Sequence, residues 1–392
     1  MSNSFLKTPV CLVVGTRPEA IKMAPVYFAL KASRFLRPIL LSTGQHREML
    51  AQALGAFGIR PDHDLDLMRA NQSLSGLTAS VLTAVQSYLE ATNPAAVLVQ
   101  GDTSTVLASA LAAFYSRIPV GHVEAGLRTR NMDSPWPEEM NRRLVAPLCR
   151  WQFCPTTASQ RNLLDESVPA GNCYVTGNTV IDALLWIREK AIQNVVDANL
   201  VAQQIGVRPE FAERFLCNPK GRWILVTGHR RESFGQGFED ICKALAQVVE
   251  THSDVGVLYP VHLNPNVREP VRRVLGAREN IELVEPVGYE TFVWLMDHCS
   301  IILTDSGGVQ EEAPSLGKPV LVMRDTTERP EGIIAGTCRL VGSDPVAICR
   351  EIAILLGDEN DYLRRSRLAN PYGDGHAADR IQLTLERDLV HE

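Results

Sequence analysis

The sequence has 392 residues, of which 45% are hydrophobic and 21% charged, and its formal net charge is -6 at pH 7. A chain of this length exceeds what one hydrophobic core usually supports, so we expect two domains. The acidic balance argues against nucleic acid as a partner, because phosphate backbones select basic surfaces. An anionic ligand would therefore need a local cluster of basic side chains.

The cysteines and the apolar runs predict a cytoplasmic protein with no membrane partner. The nine cysteines are scattered, odd in number and without a Cys-x-x-Cys pair, which is typical of small buried thiols rather than of a metal or redox site. No apolar run approaches the roughly 20 residues that a transmembrane helix needs. The apolar stretch from Pro9 to Gly15 continues into polar sequence without a site typical of signal-peptide cleavage.

In the first half of the chain, short apolar runs alternate with longer amphipathic stretches. The runs at 10–14, 39–42, 97–100 and 120–123 predict strands. The stretches beginning at Pro18, at 45–57 and at 103–115 predict helices. This alternation is typical of a parallel sheet covered by helices.

The second half repeats the pattern, with strands expected at 223–227, 255–261, 281–284, 301–304 and 320–323. The helical segment 181–219 between the halves has no strong strand pattern, so we place the domain boundary at 178, after Thr176-Gly177-Asn178. The sequence thus predicts two doubly wound α/β domains, 1–178 and 179–370, with a helix in 371–392 that packs back on the first. We expect the active site in a cleft between them, because ligands bind beyond the carboxyl ends of such strands.

Two strand ends carry features suited to a nucleotide diphosphate. After the first strand, Gly15 permits a tight exit, and Arg17 and Lys22 bring two cations beside a helix start. The alternative is a capped helix with two solvated bases. In Asp305-Ser306-Gly307-Gly308, the serine can cap a helix and the glycines let backbone N–H groups approach phosphate.

The turn after Asp305 leads to Glu312, which lies far enough into the helix to hold the two hydroxyls of a ribose. A purely structural connection between strand and helix is the alternative for the whole segment. Arg324 and Arg329, after the next strand, either add positive charge to this site or are surface arginines.

Three acids follow the predicted strands of the first domain. Asp102 follows one strand end, Glu124 follows the next, and Glu138 begins a helix behind a proline-rich loop. Carboxylates crowded together shift one another's protonation, which suits proton abstraction from carbon. Taken singly, Asp102 is equally well explained as a helix N-cap and Glu138 as a favourable first-turn acid.

Histidines add a further candidate group. His229 lies at the first strand end of the second domain, where it can neutralise a leaving diphosphate or shuttle a proton, with Arg230 beside it as charge support. We interpret His262 as a loop-stabilising residue and His122 as a histidine satisfied within the core.

Taken together and in this order, the motifs resemble the bacterial non-hydrolysing UDP-N-acetylglucosamine (UDP-GlcNAc) 2-epimerases from about residue 8 to the C-terminal helix. The segments that carry the resemblance are Gly15-Thr16-Arg17-Pro18-Glu19, Gly101-Asp102-Thr103, His122-Val123-Glu124-Ala125-Gly126-Leu127-Arg128, Ser134-Pro135-Trp136-Pro137-Glu138-Glu139, Thr227-Gly228-His229-Arg230 and Asp305-Ser306-Gly307-Gly308-Val309-Gln310-Glu311-Glu312. The resemblance implies two Rossmann-like domains of GT-B type, a homodimer, and chemistry that uses no nicotinamide and no metal.

The resemblance also implies a mechanism, with UDP-GlcNAc and UDP as the ligands. Anti elimination of UDP gives 2-acetamidoglucal, and UDP then returns while a proton reaches the opposite face of C2. Asp102, Glu124 and Glu138 match the acid and base groups, and His229 matches the residue that assists UDP departure. Which carboxylate takes the proton stays open at this point.

The remaining matches concern binding. Positions that hold substrate are matched by Arg17, Lys22, Phe292, Ser306, Gly307, Gly308, Glu312 and Arg329. A second, activating UDP-GlcNAc site is matched by Gln45, His46, Gln72 and His262. The chain departs from the family pattern at Val287, where members often carry a polar residue, at a position that contacts uracil through its side chain or its backbone.

Three other functions use many of the same features. A GT-B glycosyltransferase would use the glycine-rich turn and the ribose-binding acid, but it has no evident need for three acids at C2. A hydrolysing epimerase would release free N-acetylmannosamine, and the Ser134-Pro135-Trp136-Pro137 segment argues against it. A sugar-nucleotide sensor without catalysis is disfavoured because the acid and base set is complete.

Overall fold

The computed structural model describes residues 7–44, 47–69, 72–193, 197–228, 235–276 and 278–390. The chain divides into two compact units. One contains the residues up to Trp186 together with those from Tyr372 onward, and the other runs from Ile187 to Pro371.

The first unit contains a seven-stranded sheet within its described residues, in the order β3-β2-β1-β4-β5-β6-β7. Every paired neighbour is parallel. The strand order reverses between β1 and β4, as in a doubly wound fold. The strands are β1 (Thr8–Val14), β2 (Leu36–Ser42), β3 (His63–Asp64), β4 (Ala96–Gln100), β5 (Val120–Val123), β6 (Trp151–Cys154) and β7 (Cys173–Val175).

Helices connect these strands and cover the sheet. Because both faces are covered, β1 and β4 are apolar along most of their length and almost fully buried. The helices are α1 (Arg17–Ala32), α2 (Arg47–Ala56), α3 (Leu74–Thr92), α4 (Ser104–Tyr115), α5 (Glu138–Val145) and α6 (Thr157–Asp165).

The two units divide within the helix α7 (Thr179–Gln193) rather than at residue 178. The first half of α7 packs in the first unit, where the Trp186 ring stacks on Phe28 with centroids 5.2 Å apart. Ile181 and Leu184 of the same half are fully buried. These apolar contacts hold the start of α7 against the first unit. The many polar residues of the segment gave no sign of them in the sequence.

The second unit repeats the architecture with a six-stranded parallel sheet in the order β10-β9-β8-β11-β12-β13. Its strands are β8 (Arg222–Thr227), β9 (Val255–Pro260), β10 (Ile281–Val284), β11 (Ile301–Thr304), β12 (Val320–Val322) and β13 (Cys338–Leu340). Its helices are α8 (Ala198–Ile205), α9 (Pro209–Phe211), α10 (Gln236–Thr251), α11 (Pro265–Leu275), α12 (Tyr289–His298), α13 (Gly307–Glu312), α14 (Pro330–Ala335), α15 (Pro345–Gly357) and α16 (Glu359–Ser366).

The last helix, α17 (Ala377–Val390), belongs to the first unit and packs against α1. Its first turn is fixed by Asp182 of α7, whose carboxylate accepts a hydrogen bond of 2.8 Å from the Ala378 backbone N–H. Near its other end, the Trp151 indole N–H donates to Asp388 at 2.7 Å. The chain therefore returns to the first sheet after completing the second.

The nine cysteines all lie in the described part of the chain and are free thiols. Seven of them are buried, and burial raises the pKa of those at Cys11 and Cys242 to about 12. They behave as the small apolar side chains that their scatter predicted. Among the described residues, no helix is long and apolar enough to span a membrane.

Candidate active site

The turn after β1 is tied to the turn after β4 by one buried acid. The Glu19 carboxylate accepts hydrogen bonds from the backbone N–H groups of Gly15 at 2.6 Å and Thr16 at 3.0 Å, and from the Thr103 hydroxyl at 2.7 Å. Glu19 is 2% exposed, and burial raises its pKa against the effect of these bonds. The contacts fix the start of α1, where Arg17 is the first helical residue.

Glu124 follows β5 directly and has a left-handed backbone, with φ at 65°. Its buried carboxylate accepts from the Lys22 ammonium at 2.5 Å and from the Asn178 amide at 3.2 Å. The Gln100 amide, from the end of β4, donates to the other oxygen. One cation and two amide donors favour the ionised form of this carboxylate.

Lys22 contacts one of the predicted catalytic acids. Within the first unit its ammonium lies against Glu124, so its charge acts on one of the predicted catalytic acids. Neither Gln100 nor Asn178 was singled out as functional from the sequence. The sequence did contain a signal for both, namely their position at strand ends. Gln100 is the last residue of β4, and Asn178 lies three residues after β7.

Asp102 lies two residues beyond β4, and its side chain is 27% exposed. Its Oδ2 accepts a hydrogen bond from Arg142 Nε at 2.9 Å and forms an ion pair with Nη2 of the same guanidinium at 2.7 Å. The Asn141 amide donates to the Asp102 carbonyl at 2.8 Å. The capping alternative for Asp102 is wrong, because Thr103 is the N-cap of α4 and accepts from the Val106 N–H.

Glu138 is the first residue of α5, as its sequence context predicted. The loop before it contains two cis peptide bonds, Ser134-Pro135 and Trp136-Pro137. Its Oε2 is buried and has no hydrogen-bond partner among the described residues. Glu138 therefore has a different environment from Asp102, which contacts a guanidinium.

The fully buried Glu139 anchors the loop after β5 to α5. Its carboxylate accepts from the backbone N–H groups of Thr129 at 2.9 Å and Arg130 at 3.1 Å, and from Arg142 Nη1 at 3.3 Å. Arg143 lies farther out, 3.6 Å from Glu139. Neither Glu139 nor Arg142 was predicted from the sequence, although both lie in the motif that contains Glu138.

His122, the penultimate residue of β5, is buried and hydrogen-bonds the Gly101 carbonyl through Nε2 at 2.7 Å. Burial lowers its pKa to about 4, so the ring is neutral at pH 7 and Nε2 donates its hydrogen to that carbonyl. Its interpretation as a core residue is confirmed. In addition it holds the turn that carries Asp102.

In the second unit, the turn after β11 carries the predicted nucleotide-binding residues. Glu312, at the end of α13, is 8% exposed, and the Tyr289 hydroxyl donates to its Oε2 at 3.0 Å. A side chain added at Gly308 would begin 3.6 Å from Glu312 Oε1, so the glycine keeps this acid accessible from the turn. Ser306 precedes α13, but its side chain makes no capping hydrogen bond to the described residues.

Arg329 lies against the same turn. A Cβ atom at Gly307 would lie 3.7 Å from the guanidinium carbon of Arg329. The Nε of Arg329 donates to Glu311, which orients the side chain. The arginine is therefore a fixed cation beside the glycines and not a solvated surface residue. Phe292, in the second turn of α12, is half-buried in this unit.

Several predicted residues contribute no catalytic contact or lie outside the described residues. His229, Gln45 and His46 fall among the residues that the structure does not describe. Gln72 contacts Ser80 at 3.5 Å within the first unit. His262 is exposed and accepts from the Asn264 N–H at 3.1 Å, as expected for a loop-stabilising residue. The described residues contain no group of three or more potential metal ligands.

Comparison with known proteins gives the family. The model of the UDP-N-acetylglucosamine 2-epimerase family matches residues 28–386. The chain belongs to this family. It is 54% identical over 382 residues to the UDP-N-acetylglucosamine 2-epimerase of Escherichia coli K12, covering 97% of this chain and 99% of that one.

Solved epimerase structures share the architecture. The Neisseria meningitidis UDP-GlcNAc 2-epimerase bound to UDP-GlcNAc is 46% identical, with a TM-score of 0.86, over 97% of this chain and 100% of that one. The Methanocaldococcus jannaschii enzyme in complex with UDP-GlcNAc and UDP is 30% identical, with a TM-score of 0.75, over 96% and 99% of the two chains. The predicted pair of Rossmann-like domains of GT-B type is therefore confirmed.

Proposed function

We propose that this protein reversibly epimerises UDP-GlcNAc at C2 to UDP-N-acetylmannosamine without net hydrolysis. The observation that carries the proposal is the set of three acids at one sheet edge, Asp102, Glu124 and Glu138, in a chain of the epimerase family. Asp102 and Glu124 each contact a cation, whereas Glu138 Oε2 has no hydrogen-bond partner in the part of the chain that the structure describes. Such a set suits a reaction that removes a proton from carbon and returns it.

The proposed reaction passes through 2-acetamidoglucal. A carboxylate removes the C2 proton while UDP leaves C1 from the opposite face, and UDP then returns as C2 receives a proton on its other face. The inversion needs acid and base groups on both faces of the sugar, which a single carboxylate cannot supply. The oxidation level of C2 does not change overall, so the scheme requires no redox cofactor.

The UDP part is assigned to the second unit. Glu312 is proposed to accept hydrogen bonds from the ribose hydroxyls, with Tyr289 orienting it. The backbone of Ser306, Gly307 and Gly308, together with Arg329, supplies donors and positive charge for the diphosphate. Arg17, Lys22, Phe292 and His229 complete the proposed set, His229 as the group that assists UDP departure.

The broader expectations stay proposals of the same kind. We propose a cytoplasmic homodimer with UDP-GlcNAc and UDP as its ligands. Activation by a second UDP-GlcNAc, at a site that includes Gln45, His46, Gln72 and His262, rests on the resemblance of these segments to the family. A rate that rises more steeply than hyperbolically with UDP-GlcNAc concentration would support this activation.

Proton NMR of the purified protein with UDP-GlcNAc in D2O tests the reaction. We expect UDP-N-acetylmannosamine to appear with deuterium at C2 and no accumulation of free sugar. Accumulating N-acetylmannosamine and UDP would indicate a hydrolysing epimerase instead. An unchanged spectrum would contradict the proposal and favour a different sugar nucleotide or a glycosyltransferase.

A further inference from the structure

Helix α5 carries one predicted catalytic acid and holds another. Glu138, Asn141 and Arg142 occupy positions i, i+3 and i+4, which share one face of a helix. Asn141 donates to the Asp102 carbonyl, and Arg142 donates to the Asp102 carboxylate. The face that carries Glu138 therefore also fixes the backbone and the side chain of Asp102.

The Arg142 side chain is itself firmly held. It is 9% exposed, its Nε donates to Asp102 Oδ2 at 2.9 Å, and its Nη2 lies 2.7 Å from the same oxygen in an ion pair. A third nitrogen donates to Glu139, which is fully buried and fixed by two backbone N–H groups of the preceding loop. A guanidinium held on both sides cannot follow Asp102 if that carboxylate moves, so it defines where the carboxylate lies.

This contact makes the two acids electrically different. Arg142 Nε donates a charge-assisted hydrogen bond of 2.9 Å to the Asp102 carboxylate. Glu138 has a buried oxygen, Oε2, without a hydrogen-bond partner among the described residues. An inversion at carbon needs this asymmetry, since one acid must begin without a proton and the other with one.

We propose that Arg142 is a positioning residue for epimerisation, which holds the Asp102 carboxylate where it accepts the C2 proton of UDP-GlcNAc while Glu138 delivers a proton to the opposite face. The inference rests on the proposed function. The C2–H bond breaks as its proton passes to Asp102, the electron pair forms the C1=C2 bond, and the C1–O bond breaks to release UDP. On return, a UDP oxygen bonds to C1 and C2 takes the proton of Glu138.

The test compares wild type with R142Q, R142K and R143Q in the full chain. Arg143 is the matched control, since it neighbours Arg142 and lies near the same Glu139 but forms its ion pairs in the described structure with Glu139 and Glu166, not with Asp102. For each protein, kcat and KM for UDP-GlcNAc, deuterium uptake at C2 in D2O and the UDP dissociation constant are measured. Thermal unfolding midpoints report on the fold of each variant.

We expect R142Q to lower kcat and deuterium uptake by about 100-fold or more, with KM and UDP affinity within about threefold of wild type. R142K should recover part of the loss, because it restores the charge without the planar fork. R143Q should keep near wild-type kcat. Should R142Q unfold, the R142K value alone decides, and a wild-type rate in R142K overturns the inference.

Equal kcat losses in R142Q and R143Q, or a loss in R142Q confined to KM, would also overturn the role given to Arg142. An inert wild-type enzyme would instead remove the proposed function, so the two failures are distinguishable.

Discussion

At the scale of single residues, the three acids of the first unit differ in their partners. Glu124 has a positive φ, which strains a residue other than glycine and persists only where surrounding contacts enforce it. Lys22, Gln100 and Asn178 supply such contacts through its carboxylate. Asp102 has a guanidinium, whereas Glu138 has a buried oxygen with no partner in the described structure. The acids are therefore not interchangeable, and substitution of each one should impair a different step of the reaction.

Replacing Glu138 by glutamine separates proton removal from inversion. We expect E138Q in D2O to introduce deuterium at C2 of recovered UDP-GlcNAc while epimerisation falls by at least about 100-fold. Asp102 alone can remove the C2 proton and return a deuteron to the same face of the sugar. Inversion also needs the proton that Glu138 delivers to the opposite face. Proton NMR of the recovered sugar nucleotide measures both. The matched variant D102N should show neither exchange nor epimerisation, and exchange that survives in D102N but not in E138Q would reverse the two roles.

Glu312 and its partner Tyr289 permit a graded test of UDP binding. E312Q removes the charge that is proposed to accept the ribose hydroxyls, and we expect UDP to bind about 10-fold or more weakly, equivalent to roughly 1.4 kcal/mol. Y289F removes one orienting hydrogen bond and should cost less, about 0.5 to 1.5 kcal/mol. Isothermal titration with UDP measures both. Unchanged affinity in E312Q would exclude a ribose contact at this residue.

At the scale of elements, strand ends and helix starts bring the functional groups together. The apolar runs predicted most strands closely, as at 97–100 against the observed Ala96–Gln100. The short strands β6 and β7 have no such pattern, and only pairing with β5 and with each other defines them. Likewise the acids could be named from the sequence, whereas the contacts of Asp102 with Arg142 and of Glu124 with Asn178 join segments far apart in the chain. Local patterns carry no information about such pairs.

The contact of α7 with α17 predicts a pH dependence of stability. Burial raises the pKa of Asp182 to about 6, above its ordinary value of 3.8, although backbone N–H groups of α17 donate to it. Between these values the folded protein keeps a proton that the unfolded chain has lost, so this group's contribution to the free energy of unfolding falls as pH rises from about 4 to 6. The full loss is about 3 kcal/mol.

The variant D182N tests this dependence, because it keeps an oxygen for the Ala378 N–H but cannot ionise. We expect the unfolding midpoint of D182N, relative to wild type, to rise between pH 4.5 and pH 7.5. The control variant is D197N. Asp197 caps α8 and is exposed, so D197N makes the same chemical change at a carboxylate that is not buried. A midpoint difference for D182N that is constant over this range would contradict the prediction.

At the scale of the whole molecule, the two units have related sheets but carry different functional side chains. The first unit carries the acids and the cations that hold them, and the second carries a glycine-rich turn with Arg329 and Glu312. The net charge of -6 is therefore compatible with an anionic ligand, because the cations are local. The first unit also exposes large apolar side chains on α4 and α5, among them Phe114, Tyr115 and Leu144.

These apolar side chains give the proposed homodimer a testable surface. Phe114 and Tyr115 lie with Leu148 along one shallow groove, and exposed apolar patches of this kind often mark protein contacts. Light scattering of wild type should give about twice the chain mass of 43.2 kDa. We expect the double variant F114E/Y115E to give the mass of one chain, because charges at an apolar contact oppose its burial. I334E, at a residue of the second unit that is 84% exposed, should leave the mass of wild type unchanged.

A double variant that keeps the wild-type mass would exclude this surface from the dimer contact. A wild type whose measured mass is that of one chain would exclude the dimer itself.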